Sequence, residues 1–257
     1  MTVVVGFIGP DGAVMASDSE ATESEHSRYE IEKIWQCGGL LMGYTGATSV
    51  RQPLVALCRQ MIESQHGQSA EIDRQDALNT LRPTASKVLA SVYEFHVGAR
   101  DTDGIPLPLK GVLLVIGRDH DGYWMLEIDW MAQCTFYTQP GFHSVGSGAA
   151  AAYVARSLMR DYESAERPVA GLQLIAYRTV QTCIDTIGGT AGVGGRVQLW
   201  SSQSGSPFKK ANQQEIESLD NGVMAWRTAE RESLDQVLRG GATKPDGVPM
   251  PGRPAGL

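Results

Sequence analysis

The chain has 257 residues, 42% of them hydrophobic, and a formal charge of −7 at pH 7. That acidic balance, with no basic run, excludes nucleic acid and anionic membrane surfaces as natural partners, and no apolar stretch approaches the ~20 residues of a membrane span. Length and even composition fit one large domain, or one domain plus an appendage. In chain order, Thr2–Ile8 is β-branched and apolar and is turned by Gly9-Pro10-Asp11-Gly12 into a second strand, Ala13–Asp18, so the two read as a hairpin. Both runs are apolar almost throughout, which suits a sheet covered on both faces. Ser19–Arg28 is polar and reads as a loop; Tyr29–Trp35 alternates and reads as a strand. Leu40–Tyr44 is another strand, ending at Thr45-Gly46-Ala47-Thr48.

Ser49 is the expected N-cap of a helix over Ser49–Gln65, where Leu54, Leu57, Cys58, Met61 and Ile62 recur at helical spacing. A second helix, Arg74–His96, carries Leu78, Leu81, Val88, Leu89, Val92 and Phe95 and is expected to be interrupted near Pro83. Arg100–Lys110 reads as a loop, Gly111–Gly117 as a buried strand, and Tyr123–Asp129 and Ala132–Thr138 as two more after a turn at Asp119–Gly122. Gly141–Gly148 leads into a helix, Ala149–Tyr162, and Pro168–Thr186 is a fourth, with Leu172, Ile175, Ala176, Thr179 and Ile184. The loop Gly188–Gly195 and the strand Arg196–Ser201 close the series. Helix pairs set between strand blocks predict an α+β fold of two stacked sheets with a helical layer on each outer face. That domain spans 1–206; a polar helix, Gln213–Arg239, forms an extension over 207–239, and 240–257 is a Pro/Gly-rich tail expected to be flexible.

Cys37, Cys58, Cys134 and Cys183 lie far apart and read as reduced core thiols. His26, His66, His96, His120 and His143 lack the spacing of metal ligands, and no metal or cofactor is expected. The loop Gly188–Gly195 follows a helix and precedes a strand, the reverse of a dinucleotide-binding order. The N-terminus has neither a charged n-region nor a cleavage site, which points to a cytoplasmic protein.

Thr2 stands directly behind the initiator methionine. If Met1 is trimmed, one residue carries both a hydroxyl and a free amine, and an adjacent amine is a base able to activate such a hydroxyl. Its reference pKa, roughly 7.7–8.0, leaves much of it unprotonated near neutrality.

Further pieces follow in order. The run Asp11-Gly12-x-Val14-x-Ala16-x-Asp18-x-x-x-Thr22, then Lys33-Ile34, then Gly46 before a helix, Gly146-Ser147-Gly148 at a helix start, and Asp185 before the glycine loop together resemble the proteasome β subunits, which are N-terminal-nucleophile hydrolases. The resemblance covers about Thr2 to Ser201 and is closest to a stand-alone bacterial homologue, with Thr directly after Met as in the HslV peptidases. It implies a four-layer αββα sandwich. It also implies that Thr2 is the nucleophile, that Lys33 held by Asp18 supplies positive charge beside it, that the Gly46 N–H is the oxyanion donor, and that Ser147 and Asp185 orient the amine and water. Thr22 and Thr48 would pair with an extended substrate through their backbones, Glu20 lies where substrate approaches, and Tyr44 limits the depth of the first pocket. A polypeptide substrate, a homo-oligomeric ring (six- or sevenfold, single or double, or an open spiral) and an ATPase unfoldase are implied in the same way.

Three positions depart from the family pattern: Val3 for a second Thr, Glu20 for Arg, and Gly188 for a Ser that supports the amine. The reading is therefore a threonine endopeptidase. An amidase or acyl transferase acting on small amides stands as one alternative, and a catalytically silent ring-forming subunit as another.

Overall fold

The computed structural model describes residues 2–24, 27–67, 69, 71–96, 111–129, 131–137, 141–159, 168–188 and 193–238. Its elements begin with β1 (Val4–Ile8), β2 (Gly12–Ser17), β3 (Glu20–Ser24), β4 (Ser27–Glu30), β5 (Ile34–Cys37), β6 (Leu40–Gly46), α1 (Thr48–His66) and α2 (Arg74–His96). They continue with β7 (Gly111–Asp119), β8 (Gly122–Ile128), β9 (Cys134–Tyr137), β10 (Phe142–Val145), α3 (Ala149–Met159), α4 (Val169–Ile187), β11 (Gln198–Gln203), β12 (Lys209–Lys210) and α5 (Gln213–Leu238). Two compact units emerge, Met1–Leu219 and Asp220–Leu257.

The first unit is the αββα sandwich that the element order predicts. One antiparallel sheet runs β10-β1-β2-β11-β12 and the other β5-β6-β7-β8-β9. Between them lie Val4, Ala13, Met15, Ile34, Leu41, Leu114, Ile116, Met125 and Val145. The strands alternate in the expected way: Leu41 of β6 faces the other sheet, while Leu40, Met42 and Tyr44 face α1 and α2 with Leu54, Cys58, Ile62 and Leu81. Helix α4 covers β1, β2 and β11 with Leu172, Ile175, Ala176 and Val180 buried. Both sheets are therefore covered on both faces, which is why their strands read as nearly continuous apolar runs. In the second unit, α5 continues past the boundary as a helix whose Met224, Leu234, Val237 and Leu238 are exposed.

Several boundaries differ from the sequence reading. Ser19–Arg28 is not a loop but most of a two-stranded ribbon, β3 paired with β4 from Glu20↔Glu30 to Ser24↔Ser27. The ribbon belongs to neither main sheet, and its largely polar run carries no apolar alternation. The single strand expected over Tyr29–Trp35 is split, and Ile31–Lys33 lies outside any strand. Strand β10 was hidden in the run leading to α3; it is four residues long, too short for periodicity to register. Helix α1 starts one residue earlier than expected, after Ala47, with no side-chain cap. Helix α2 runs unbroken through Pro83. Pro83 lies on the exposed face, while Ala77, Leu81, Ala85 and Val88 continue the buried stripe on either side of it. Packing of that stripe outweighs the one lost backbone hydrogen bond. The expected 100–110 loop, residues 189–192 of the glycine loop, the 240–257 tail and His26 lie outside the described residues.

At Gly43 of β6 the facing sheet leaves no room for a side chain. A Cβ there would stand 2.6 Å from Val4 Cγ1 and 2.8 Å from Met15 Sδ. Gly43→Val is accordingly expected to destabilise the fold by about 1–3 kcal/mol through overpacking. Urea unfolding would register this as a lower midpoint with an unchanged slope; an unaltered midpoint would show that the sheets can separate without cost.

Candidate active site

The N-terminal strand, the end of β2 and the turn between β10 and α3 meet at one end of the sandwich. Asp18 follows β2 and is fully buried. Its Oδ1 accepts the backbone N–H of Val3 at 3.0 Å. Its Oδ2 accepts the Lys33 ammonium at 2.8 Å and the Gly194 N–H at 3.0 Å. Lys33 enters from the irregular segment before β5 and is only 1% exposed. Its ammonium also donates to the Glu20 carbonyl at 2.5 Å. Burial pushes the Lys33 pKa below its ordinary 10.5, with Asp18 and Glu20 opposing that fall and the Arg51 guanidinium adding to it. The Asp18–Lys33 pair is thus an interior ion pair and not a surface salt bridge.

The backbone of Lys33 is fixed as firmly as its side chain. Its N–H donates to Gln198 Oε1 at 3.1 Å, its carbonyl accepts Tyr44 N–H at 3.1 Å, and Gln198 Nε2 donates to the Ile31 carbonyl at 2.7 Å. A residue of β11 therefore supplies what a neighbouring strand would otherwise provide.

Thr2 is buried beside this pair. Its N–H donates to Ser147 Oγ at 3.0 Å, and Ser147 Oγ donates in turn to the Thr2 carbonyl at 3.3 Å. The Gly148 N–H reaches the same carbonyl at 3.2 Å. Gly146 makes this approach possible: it adopts φ +100°, and a Cβ on it would stand 2.2 Å from the Thr2 oxygen. The Thr45 methyl lies 3.0 Å from the same Cβ position. The next residue, Gly46, ends β6 at φ +130° and is exposed at the rim.

The structure therefore gathers Thr2, Asp18, Lys33 and Ser147, with Gly46 close by through Thr45. The other expected residues are spread around them. The Glu20 carboxylate is 3.4 Å from Arg28, and its carbonyl serves Lys33. Thr22 lies in β3 opposite Arg28, and Thr48 is the first residue of α1. Tyr44 points into the core under α1 and α2, where burial raises the pKa of its hydroxyl. Asp185 is on the exposed face of α4 and accepts a hydrogen bond from Gln181 at 2.8 Å. Two residues before it, Cys183 is buried near Asp18, whose charge adds to the burial that raises its thiol pKa to about 11. Gly188 caps α4, and a Cβ there would stand 2.1 Å from the Ile184 carbonyl, so no serine fits this backbone.

Sequence reasoning missed Gly194, Gln198 and Arg51. Gly194 sits in the glycine loop whose element order is the reverse of a dinucleotide-binding one. Arg51 lies 6.0 Å over the Trp35 ring and donates to the Glu32 carbonyl. For cations, the described residues offer only Asp119, His120 and Asp121 within 4.8 Å of one another. There Arg74 already grips Asp119 at 2.7 and 3.1 Å and Asp121 at 3.0 Å. No helix among the described residues is long and apolar enough to cross a membrane.

Comparison with known proteins places this geometry in context. The family of proteasome subunits matches residues 2–100. No curated protein matches significantly. Among solved structures, Anbu (ancestral beta-subunit) from Yersinia bercovieri superposes with a TM-score of 0.68 at 16% identity, over 99% of this chain and 100% of that one. A mutant Anbu from Hyphomicrobium sp. strain MC1 does so with a TM-score of 0.67 at 13% identity, over 92% of this chain and 97% of that one. At these identities the likeness is one of fold, the proteasome-type sandwich.

The ion pair makes a direct prediction. Lys33→Met leaves Asp18 buried with no cationic partner and is expected to cost about 3–5 kcal/mol. Asp18→Asn combined with Lys33→Met should cost clearly less than the sum of the two single changes in denaturant unfolding; additive costs would mean that the pair is not coupled.

Proposed function

We propose that this chain is a proteasome-type N-terminal-nucleophile hydrolase, a threonine endopeptidase subunit whose nucleophile is Thr2 once Met1 is removed. The observation that carries the reading is a buried cation, Lys33, fixed beside the N-terminal strand by an equally buried Asp18, with Ser147 on the Thr2 nitrogen.

In this reading the Thr2 hydroxyl attacks the carbonyl carbon of the scissile amide and passes its proton to the Thr2 amine. The Lys33 charge favours the alkoxide-like form, and the Gly46 N–H receives the developing oxyanion. The C–N bond breaks, and the amine leaves with a proton from the Thr2 ammonium. Water then cleaves the Thr2 ester with the same amine as base, while Ser147 orients the amine. The backbones of Thr22 and Thr48 pair with the extended substrate, and Glu20 flanks its path. We assign the subunit to a cytoplasmic homo-oligomeric ring, closed or spiral, that receives unfolded polypeptide from an ATPase or by diffusion. One observation favours a silent, ring-forming subunit instead: at Gly188 the backbone leaves no room for the supporting hydroxyl.

Intact-mass measurement, followed by reaction with a peptide epoxyketone, tests the proposal. The expected result is loss of Met1 and a single adduct on Thr2, absent in Thr2→Ala. Retention of Met1 on the assembled protein, or no adduct, overturns the enzyme reading in favour of the silent subunit. Turnover of small amides with none of fluorogenic peptides would replace the peptidase with an amidase. The adduct rate should rise with pH through the amine's range of roughly 7.7–8.0. It should fall again before pH 10.5, because the lowered pKa of Lys33 means its charge is lost early.

A further inference from the structure

Away from Thr2, three elements contribute a continuous carboxylate–imidazole–hydroxyl chain. Glu127 on β8 bonds His143 Nε2 on β10 through its Oε2, and His143 Nδ1 lies 2.7 Å from the Tyr153 hydroxyl on α3. The imidazole is buried and stacks on Tyr137 of β9, centroids 3.7 Å apart and planes at 16°. The Tyr137 hydroxyl donates to the same Glu127 oxygen at 3.3 Å. The His143 ring therefore cannot rotate freely. The Glu127 carboxylate, its pKa held low chiefly by His143, only accepts. It fixes the neutral imidazole as the tautomer with N–H at Nε2, leaving the Nδ1 lone pair aimed at Tyr153.

Tyr153 is 41% exposed as a residue, and its oxygen faces a base. Burial and Glu127 raise its pKa, and the Ser144 backbone N–H pulls the other way by bonding its oxygen. Tyr153 is therefore no standing phenolate; it must lose its proton as it reacts, which is the task of an oriented imidazole. One helical turn further, the Arg156 guanidinium lies 5.7 Å over Phe142, the ring that also meets Tyr153 edge-on at 5.1 Å. A fixed positive charge thus borders the cluster.

We propose that Tyr153 is a nucleophilic hydroxyl and that this cluster is an acyl-acceptor site for small activated acyl compounds. The Tyr153 oxygen attacks the acyl carbonyl carbon as its proton moves to His143 Nδ1, and Glu127 holds the imidazolium. The bond from the acyl carbon to the leaving group breaks, and the leaving group departs with the electron pair and takes the proton from His143. The products are a Tyr153 ester and the protonated leaving group. His143 is the base, Glu127 the positioning residue, and the Ser144 N–H the donor that steadies the oxygen.

Tyr29 supplies an internal reference, being 38% exposed with no imidazole partner among the described residues. Full-length protein treated with limiting N-acetylimidazole and mapped by peptide mass spectrometry should form the Tyr153 ester at least about tenfold faster than the Tyr29 ester, a modest share of what a positioned base contributes. His143→Gln should bring Tyr153 down to the rate of Tyr29, and Glu127→Gln should give an intermediate rate. Acetylation of Tyr153 no faster than Tyr29 in the wild-type chain overturns the proposal without reference to any variant. Retention of the advantage in a folded His143→Gln protein overturns it as well.

Discussion

The Asp18 carboxylate is the constraint on which the N-terminal end of this molecule depends. An ionised carboxylate without partners is very costly to bury, and Asp18 is buried completely with three: the Val3 N–H, the Lys33 ammonium and the Gly194 N–H. These donors come from the first strand, the entry to the second sheet and the approach to β11. No one of them suffices, because removing any partner leaves charge or a lone pair unmatched in a dry interior. The N-terminal strand, the lysine and the glycine loop are accordingly held to one geometry.

Around that centre the sandwich divides its tasks. The apolar layers between and outside the sheets carry the burial that holds the fold, and the polar groups collect where strands end: Asp18 after β2, Gly46 at the end of β6, Ser147 after β10. Side chains at strand ends can converge from both sheets without breaking either ladder. The β10–α3 turn ties Thr2 by both its N–H and its carbonyl, so the first described residue of the chain is among the better fixed. The Glu127–His143–Tyr153 chain anchors the same edge strand, β10, from its other side, joining strands of both sheets to α3.

Much of this was legible in the residues. The hairpin from Thr2 to Asp18, the helix pairs and the stacked sheets follow from uninterrupted apolar runs and helical spacing, which tertiary packing reinforced. The pairing of Asp18 with Lys33 and the place of Ser147 came from motif spacing in a resemblance, not from periodicity. The ribbon of β3 and β4 was not legible because its run is largely polar and shows no apolar alternation, and β10 because four residues carry no period. Pro83 misled because a single residue's preference was weighed against nothing, whereas the buried stripe of α2 extends on both sides of it. Gly194 and Gln198 could not be found by any local signal. Their partners lie 176 and 165 residues away in sequence, and only the pairing of β11 with β2 brings them together.

That pairing bears on the order in which the molecule is made. Chains emerge from the ribosome N-terminus first, so Thr2, Asp18 and Lys33 are present early, while β11, which occupies an inner position of its sheet, arrives only after some two hundred residues have been made. Until then the Lys33 backbone lacks Gln198 and the Asp18 carboxylate lacks Gly194. A slip of one residue in β11 would turn Gln198 to the opposite face. The nascent chain thus carries its N-terminal end for most of its synthesis without two of the contacts that fix it, and the closing strand completes them only when the sandwich is nearly whole.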